Sequence, residues 1–134
     1  MSSPIANLPA AKRFVLANAT LPEICIDGVE APACEGLVCL PYFLGEKTPI
    51  HDPLARGCFV GLSLSHTRAH LWRAALEAVA FGFRHHIDVL REIGHVPTRY
   101  VASDGGSRSA VWMQITADII GAPVSVLDNA HGSS

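Results

Sequence analysis

The sequence predicts an α/β layer structure, and three observations carry that prediction. Apolar runs of strand length and amphipathic helical stretches follow one another in the order strand, strand, helix, strand, helix, strand. A tight glycine turn, Asp104-Gly105-Gly106-Ser107, joins a short apolar strand directly to a helix. At 134 residues and 49% hydrophobic content, the chain can bury one core, as one domain or part of one.

Taken in chain order, residues 4–20 read as weakly helical, broken by Pro4 and Pro9, and Pro22 to Pro32 reads as irregular. Gly36 to Leu40 is a continuous apolar run of strand length. From Pro41 to Pro49 a glycine and two prolines force a loop, and His51 to Gly57 forms a second turn. Cys58 to Leu64 reads as a strand, with Gly61 marking a bend or a close backbone approach. Ser65 or Thr67 can cap a helix from about Arg68 to Ile93, which Gly94 ends. Within it Leu71, Ala74, Ala75, Ala78, Val79, Gly82 and Phe83 fall at helical spacing and predict a buried face. Arg68, Arg73, Arg84, Asp88 and Arg91 are expected on the wet face, with Arg84 and Asp88 four apart. Gly82 costs about 1 kcal/mol relative to alanine, which predicts a close backbone neighbour. A strand near Arg99 to Ala102, the glycine turn, a helix from Ser109 to about Ile120 and a strand from Val124 to Leu127 complete the order.

Composition narrows the function classes. A net charge of −2 and a pI near 6.4 leave no basic footprint for nucleic acid. Charged residues are 16% of the chain and mean hydropathy is +0.29, so faces meant for a partner or another domain are expected. No stretch approaches 18 uncharged apolar residues, and the first residues lack a signal peptide's apolar core, so a cytoplasmic protein without a membrane span is expected. Cys25, Cys34, Cys39 and Cys58 form no CxxC pair and are expected to be buried, reduced thiols.

The glycine turn is the strongest functional candidate. Strand, turn and helix N-terminus together make an anion site from backbone alone, because glycine permits positive φ and close approach while unpaired N–H groups and the helix dipole face the ligand. A phosphate suits such a site, and a plain connection suits the glycine pair equally well. His66 and His70, four apart, could share a metal, but no glutamate follows His66 in the hydrolytic zinc pattern and no third ligand is evident, so no metal site is expected. His85 and His86 read as surface polar residues, and Asp104 as a turn former rather than a general base. Asp118 fits a solvated or capping carboxylate better than a loop contact, Trp112 fits core better than a ligand stack, and Arg56 fits a substrate contact and a structural ion pair equally.

Several segments together resemble the C-terminal domain of the FGGY carbohydrate kinases. They are Leu40 to Pro49 (LPYFLGEKTP), Asp52 to Gly57 (DPLARG), Phe59 to His66 (FVGLSLSH), Arg73 to Ala80 (RAALEAVA), and the turn and helix from Asp104 to Pro123. Order and spacing match across about residues 36–127, most closely in the manner of the pentulose kinases. Residues 1–35 form a poorly matched N-terminal segment, and residues 36–134 a truncated nucleotide-side domain. The resemblance implies a partial actin-like, ribonuclease H-like ATPase domain, the C-terminal lobe of a sugar kinase. It also implies ATP and Mg²⁺, with transfer of the γ-phosphoryl to a sugar or polyol hydroxyl. Carried over by position, it places the Gly105 and Gly106 amides near the α-phosphate and sets Ser107, Arg108 and Ser109 at the adenosine end. Some relatives carry a polar residue facing adenine where this chain has Ala110. The family's catalytic aspartate and N-terminal lobe match nothing here, so no catalytic residue is assigned. The chain alone is expected to be inactive and, with faces exposed, to self-associate. The alternative is a stand-alone nucleotide-binding or oligomerising module without catalysis.

Overall fold

The computed structural model describes residues 11–14, 24–26, 29–31, 33–48, 50–103 and 105–127. Seven strands lie among them: β1 (Ala11–Phe14), β2 (Ile24–Ile26), β3 (Val29–Ala31), β4 (Val38–Leu40), β5 (Cys58–Val60), β6 (Tyr100–Ala102) and β7 (Val124–Leu127). Two α-helices, α1 (Arg68–Glu92) and α2 (Ala110–Ile120), and a 3₁₀ turn at Gly105–Arg108 complete the order. The main sheet runs β1-β7-β6, with β6 parallel to β7 and β1 antiparallel to it. The pairs β2–β3 and β4–β5 are separate antiparallel ribbons.

The N-terminal third differs from expectation. Ala11–Phe14 is a strand rather than part of a weak helix, since its backbone pairs with β7 from Ala11↔Leu127 to Phe14↔Val124. Pairing partners over a hundred residues away override weak local propensity. The rest of the weak-helix expectation lies outside the described residues. The stretch expected to be irregular contains the ribbon Ile24–Ile26 with Val29–Ala31. The sequence between those strands is Asp27-Gly28, a strong short-range hairpin signal when alternating apolar residues flank it.

The predicted strands at 36–40 and 58–64 are each trimmed by a glycine. Gly36 has φ +86° and Gly61 has φ +89°, so the paired segments begin at Val38 and end at Val60. A Cβ on Gly61 would lie 2.8 Å from the Gly36 carbonyl oxygen, the close backbone approach expected there.

The long helix α1 is a spine shared by three clusters of buried side chains. Ala74 and Ala78 pack with Cys34, Leu37 and Cys39; Ala80 packs with Ile115; Ile87 packs with Met113, Ala117, Ile120, Val124 and Val126. The helix starts at Thr67, whose N–H donates to His70 Nδ1 at 3.1 Å. It ends where Gly94 adopts φ +83° and donates to the Arg91 carbonyl. Arg84 reaches from α1 to the Ile119 carbonyl in the last turn of α2, at 3.2 Å, where a cation also suits the helix dipole.

Three expectations about α1 need correction. Arg73 is not on the wet face: it is 0% exposed, and its Nε donates to Glu77 Oε1 at 2.6 Å, which supplies the countercharge one turn away. Phe83 is not on the buried face but half exposed. A Cβ on Gly82 would meet nothing within 4 Å, so no close backbone explains that glycine, and its carbonyl instead accepts from His86 Nδ1 at 2.7 Å. Among the thiols, Cys34 and Cys39 are buried and free as expected, whereas Cys58 is exposed. The Cys25 side chain lies outside the described ones.

Candidate functional site

The glycine turn sits where β6, α1 and α2 converge. The chain leaves β6 at Ala102, passes Ser103, forms the 3₁₀ turn Gly105–Arg108 and enters α2 through the N-cap Ser109. Asp104 lies outside the described residues. Beneath the turn is an open cavity of about 490 Å³, which Phe83 and His86 of α1, Tyr100 of β6, Gly106 and Ser107 of the turn, and Trp112 of α2 all help to line. Its wall is largely apolar, and of the 3₁₀ turn only Gly106 and Ser107 line it.

The two glycines have different surroundings. Neither lies in the left-handed region, so backbone handedness does not require glycine at either position. A Cβ on Gly106 would fall 2.8 Å from Trp112 Cε3, inside the indole ring's contact distance. A Cβ on Gly105 would meet nothing within 4 Å. The positive φ that glycine would permit is not used at this turn; Gly106 is held close by an internal side chain, and Gly105 faces open space.

The other residues at the turn divide similarly. Ser107 is buried and faces the cavity, while Arg108 and Ser109 are exposed. Ser109 Oγ accepts the Trp112 N–H at 3.2 Å, capping α2. Trp112 is half buried, and its indole Nε1 donates to the Leu76 carbonyl of α1 at 3.1 Å. Trp112 belongs to the setting of the turn as well as to the core. Sequence reasoning had the signal within reach, since a bulky side chain in the first turn of a helix opened by Gly-Gly lies close over those glycines.

The remaining candidates serve structure. Arg56 closes its own loop, its NH1 donating to the Pro53 and Ala55 carbonyls at 3.1 and 2.7 Å. Asp118 Oδ1 accepts from Gln114 Nε2 at 2.9 Å within α2. The rings of His66 and His70 meet edge to face at 5.5 Å, and each Nδ1 accepts a backbone N–H, from Ser63 and Thr67 respectively. With both Nδ1 atoms used as acceptors, the Nε2 atoms carry hydrogen and turn toward Glu35, 3.4 Å from its carbonyl for His66 and 3.8 Å from its carboxylate for His70. Burial and a hydrogen bond with Glu77 push the Cys34 thiol up to about 12, so it remains protonated at neutral pH.

The model of the C-terminal domain of the FGGY family of carbohydrate kinases matches residues 16–134. The chain belongs to the FGGY family of carbohydrate kinases. It is 34% identical to the xylulose kinase of Bacillus subtilis over 123 residues, which is 90% of this chain and 24% of that protein. A crystal structure of xylulose kinase from Rhodospirillum rubrum superposes with a TM-score of 0.64 and 64% identity, covering 69% of this chain and 18% of that one. Plasmodium falciparum glycerol kinase, solved with ADP, shares the fold at a TM-score of 0.68 and 24% identity, over 75% of this chain and 20% of that one. The FGGY chain described here therefore spans about a quarter of the length of its xylulose kinase relative, and its fold is a partial actin-like C-terminal domain. Among the described residues no helix is long and apolar enough to cross a membrane.

Proposed function

We propose that this chain is the nucleotide-side lobe of an ATP-dependent carbohydrate kinase that transfers the γ-phosphoryl of ATP to a sugar or polyol hydroxyl, in the first instance that of a pentulose. Gly105 carries the proposal. A Cβ on Gly105 would meet nothing within 4 Å, so the space beside it, at the turn that leads into α2, is open to a ligand. Family membership names the ligand class, and the ADP found in the glycerol kinase neighbour supports a nucleotide.

In this reading the backbone amides of Gly105 and Gly106 face the α-phosphate, and Ser107, Arg108 and Ser109 flank the adenosine. Arg108 is exposed at the end of the 3₁₀ turn, free to reach the adenosine from solvent. Mg²⁺ bound to the nucleotide would offset phosphate charge. Among the described residues no group of three carboxylates, imidazoles and thiolates is placed to hold a metal. Phosphoryl transfer relies on positioning and charge stabilisation across a closed site, so this lobe binds and orients while the catalytic base comes from elsewhere in the protein. Exposed apolar side chains occur in the loops around β4 and β5, with Leu44 97%, Leu54 78% and Leu64 108% exposed, a surface suited to contact with the N-terminal lobe of such a kinase. The free thiols suit the reducing cytoplasm in which such kinases meet ATP.

Calorimetric titration with MgADP tests the site. The chain should bind, and Gly105→Val should weaken binding by at least about tenfold with an unchanged thermal midpoint, because the new side chain meets only ligand space. Binding that survives Gly105→Val would sink the assignment. The chain alone should release no ADP on adding xylulose, and joining it to its N-terminal lobe should restore sugar-dependent release.

A further inference from the structure

Glycine at position 106 answers to a side chain rather than to a ligand. Its φ is outside the left-handed region, yet a Cβ there would sit 2.8 Å from Trp112 Cε3 and 3.2 Å from Trp112 Cη2. The indole cannot easily retreat. Its Nε1 donates to the Leu76 carbonyl in the middle of α1 at 3.1 Å, and the Trp112 backbone N–H donates to Ser109 Oγ at 3.2 Å. The Trp112 backbone carbonyl in turn accepts the Thr116 hydroxyl at 2.8 Å, so the backbone that carries the ring is held as well. The ring is therefore fixed to α1 on one edge and pressed against the turn on the other.

We infer that Trp112 is a positioning residue that sets the height of the Gly105–Gly106 turn relative to α1, so that Gly106 serves the indole and Gly105 serves the nucleotide. This rests on the nucleotide reading of the turn given above. Leu76 is 36 positions before Trp112 in sequence, so the indole ties a helix that makes no covalent join to the turn directly to the turn's geometry. A displacement of α1 moves the Leu76 carbonyl, the indole follows its hydrogen bond, and the turn's amides move with the ring.

A double-mutant cycle on the whole chain tests the inference, with MgADP as the probe and calorimetry as the readout. Gly106→Ala and Trp112→Leu should each weaken binding about tenfold, and the double variant should be no weaker than either, because both remove the same fit. Multiplicative losses near a hundredfold, or a Trp112→Leu variant with unchanged affinity, would overturn the positioning role. Trp112→Phe keeps an aromatic side chain and loses the N–H to Leu76, so it serves if the leucine variant fails to fold. It should shift the Gly105 and Gly106 amide resonances and weaken MgADP severalfold; unchanged resonances and affinity would overturn the inference. In a Trp72→Phe background emission reports Trp112, and MgADP should shift it; a silent indole in a chain that binds MgADP counts against the proposal. Absence of any MgADP binding by the parent chain instead removes the nucleotide reading itself, and the inference with it.

Discussion

Replacing Glu77 with leucine should be among the most damaging single changes in this domain. The Arg73 side chain is 0% exposed and Glu77 is 16% exposed, with Nε and Oε1 2.6 Å apart. At that separation and an effective dielectric constant near 20, the gross attraction is about 6 kcal/mol, most of it offset by the cost of taking both charges out of water. The measurable quantity is the asymmetry. Removing the carboxylate takes the Glu77 countercharge from a guanidinium that stays buried and should cost roughly 3–5 kcal/mol, a large share of the 5–15 kcal/mol typical of a whole domain. In urea denaturation followed by far-ultraviolet circular dichroism, the midpoint should fall by roughly 2 M at unchanged slope. Arg73→Met combined with Glu77→Leu removes both charges at similar volume and should return to within about 1 kcal/mol of the parent. If Glu77→Leu alone costs less than about 1 kcal/mol, or the double variant is worse than the single, the buried pair does not carry the stability argued for it.

Four other outcomes follow from the same core and its surface. The Cys34 pKa is raised from the ordinary value of 9.0 to about 12, so its stabilising contribution is complete below pH 9 and fades between pH 9 and 12, as the unfolded chain ionises a thiol the folded chain cannot. A Cys34→Ala variant should show a flatter loss of stability over that range; an identical profile refutes the assignment. At pH 8 a thiol reagent should modify exposed Cys58 rapidly and buried Cys34 and Cys39 only as the chain opens, read by mass spectrometry. Gly45→Ala should destabilise by roughly 1–3 kcal/mol, because Gly45 has φ +85° and a Cβ would lie 2.7 Å from the Pro53 carbonyl; equal unfolding midpoints would show that the loop relaxes freely. Light scattering should find the isolated chain self-associating as concentration rises, driven by Phe43, Leu44, Leu54 and Leu64; a monomer at millimolar concentration would contradict it.

The parts legible in sequence were those whose signals are local. Gly94 and Ser109 mark helix ends by capping chemistry, and α1 and α2 were placed within a residue or two by the spacing of small and apolar side chains. The glycine turn was legible as a tight strand-to-helix connection because strand, glycines and helix are contiguous. The strand at Ala11–Phe14 was not, since its reason for being extended is a partner at Val124–Leu127. Arg73 was misplaced for a similar reason. Periodicity assigns a charge to the solvent face, and only the packing of Cys34 and Glu77 around it shows that the charge is internal. Trp112 was legible as core but not as a brace, because its link to Leu76 crosses the fold.

The helix α1 is the one element that contributes to all three clusters of buried side chains among the described residues. At 25 residues it is about 37 Å long, enough to span the domain from the β4 ribbon to the main sheet. The ribbon with its loops and the α2 layer with its glycine turn are thus two bodies bolted to a common axle. Damage at one end need not melt the other, but it can reach it as a rotation or slide of the axle, arriving at the indole of Trp112. Loops at the ribbon end, far from the glycine turn in sequence, therefore have a mechanical route to its geometry without touching anything bound there.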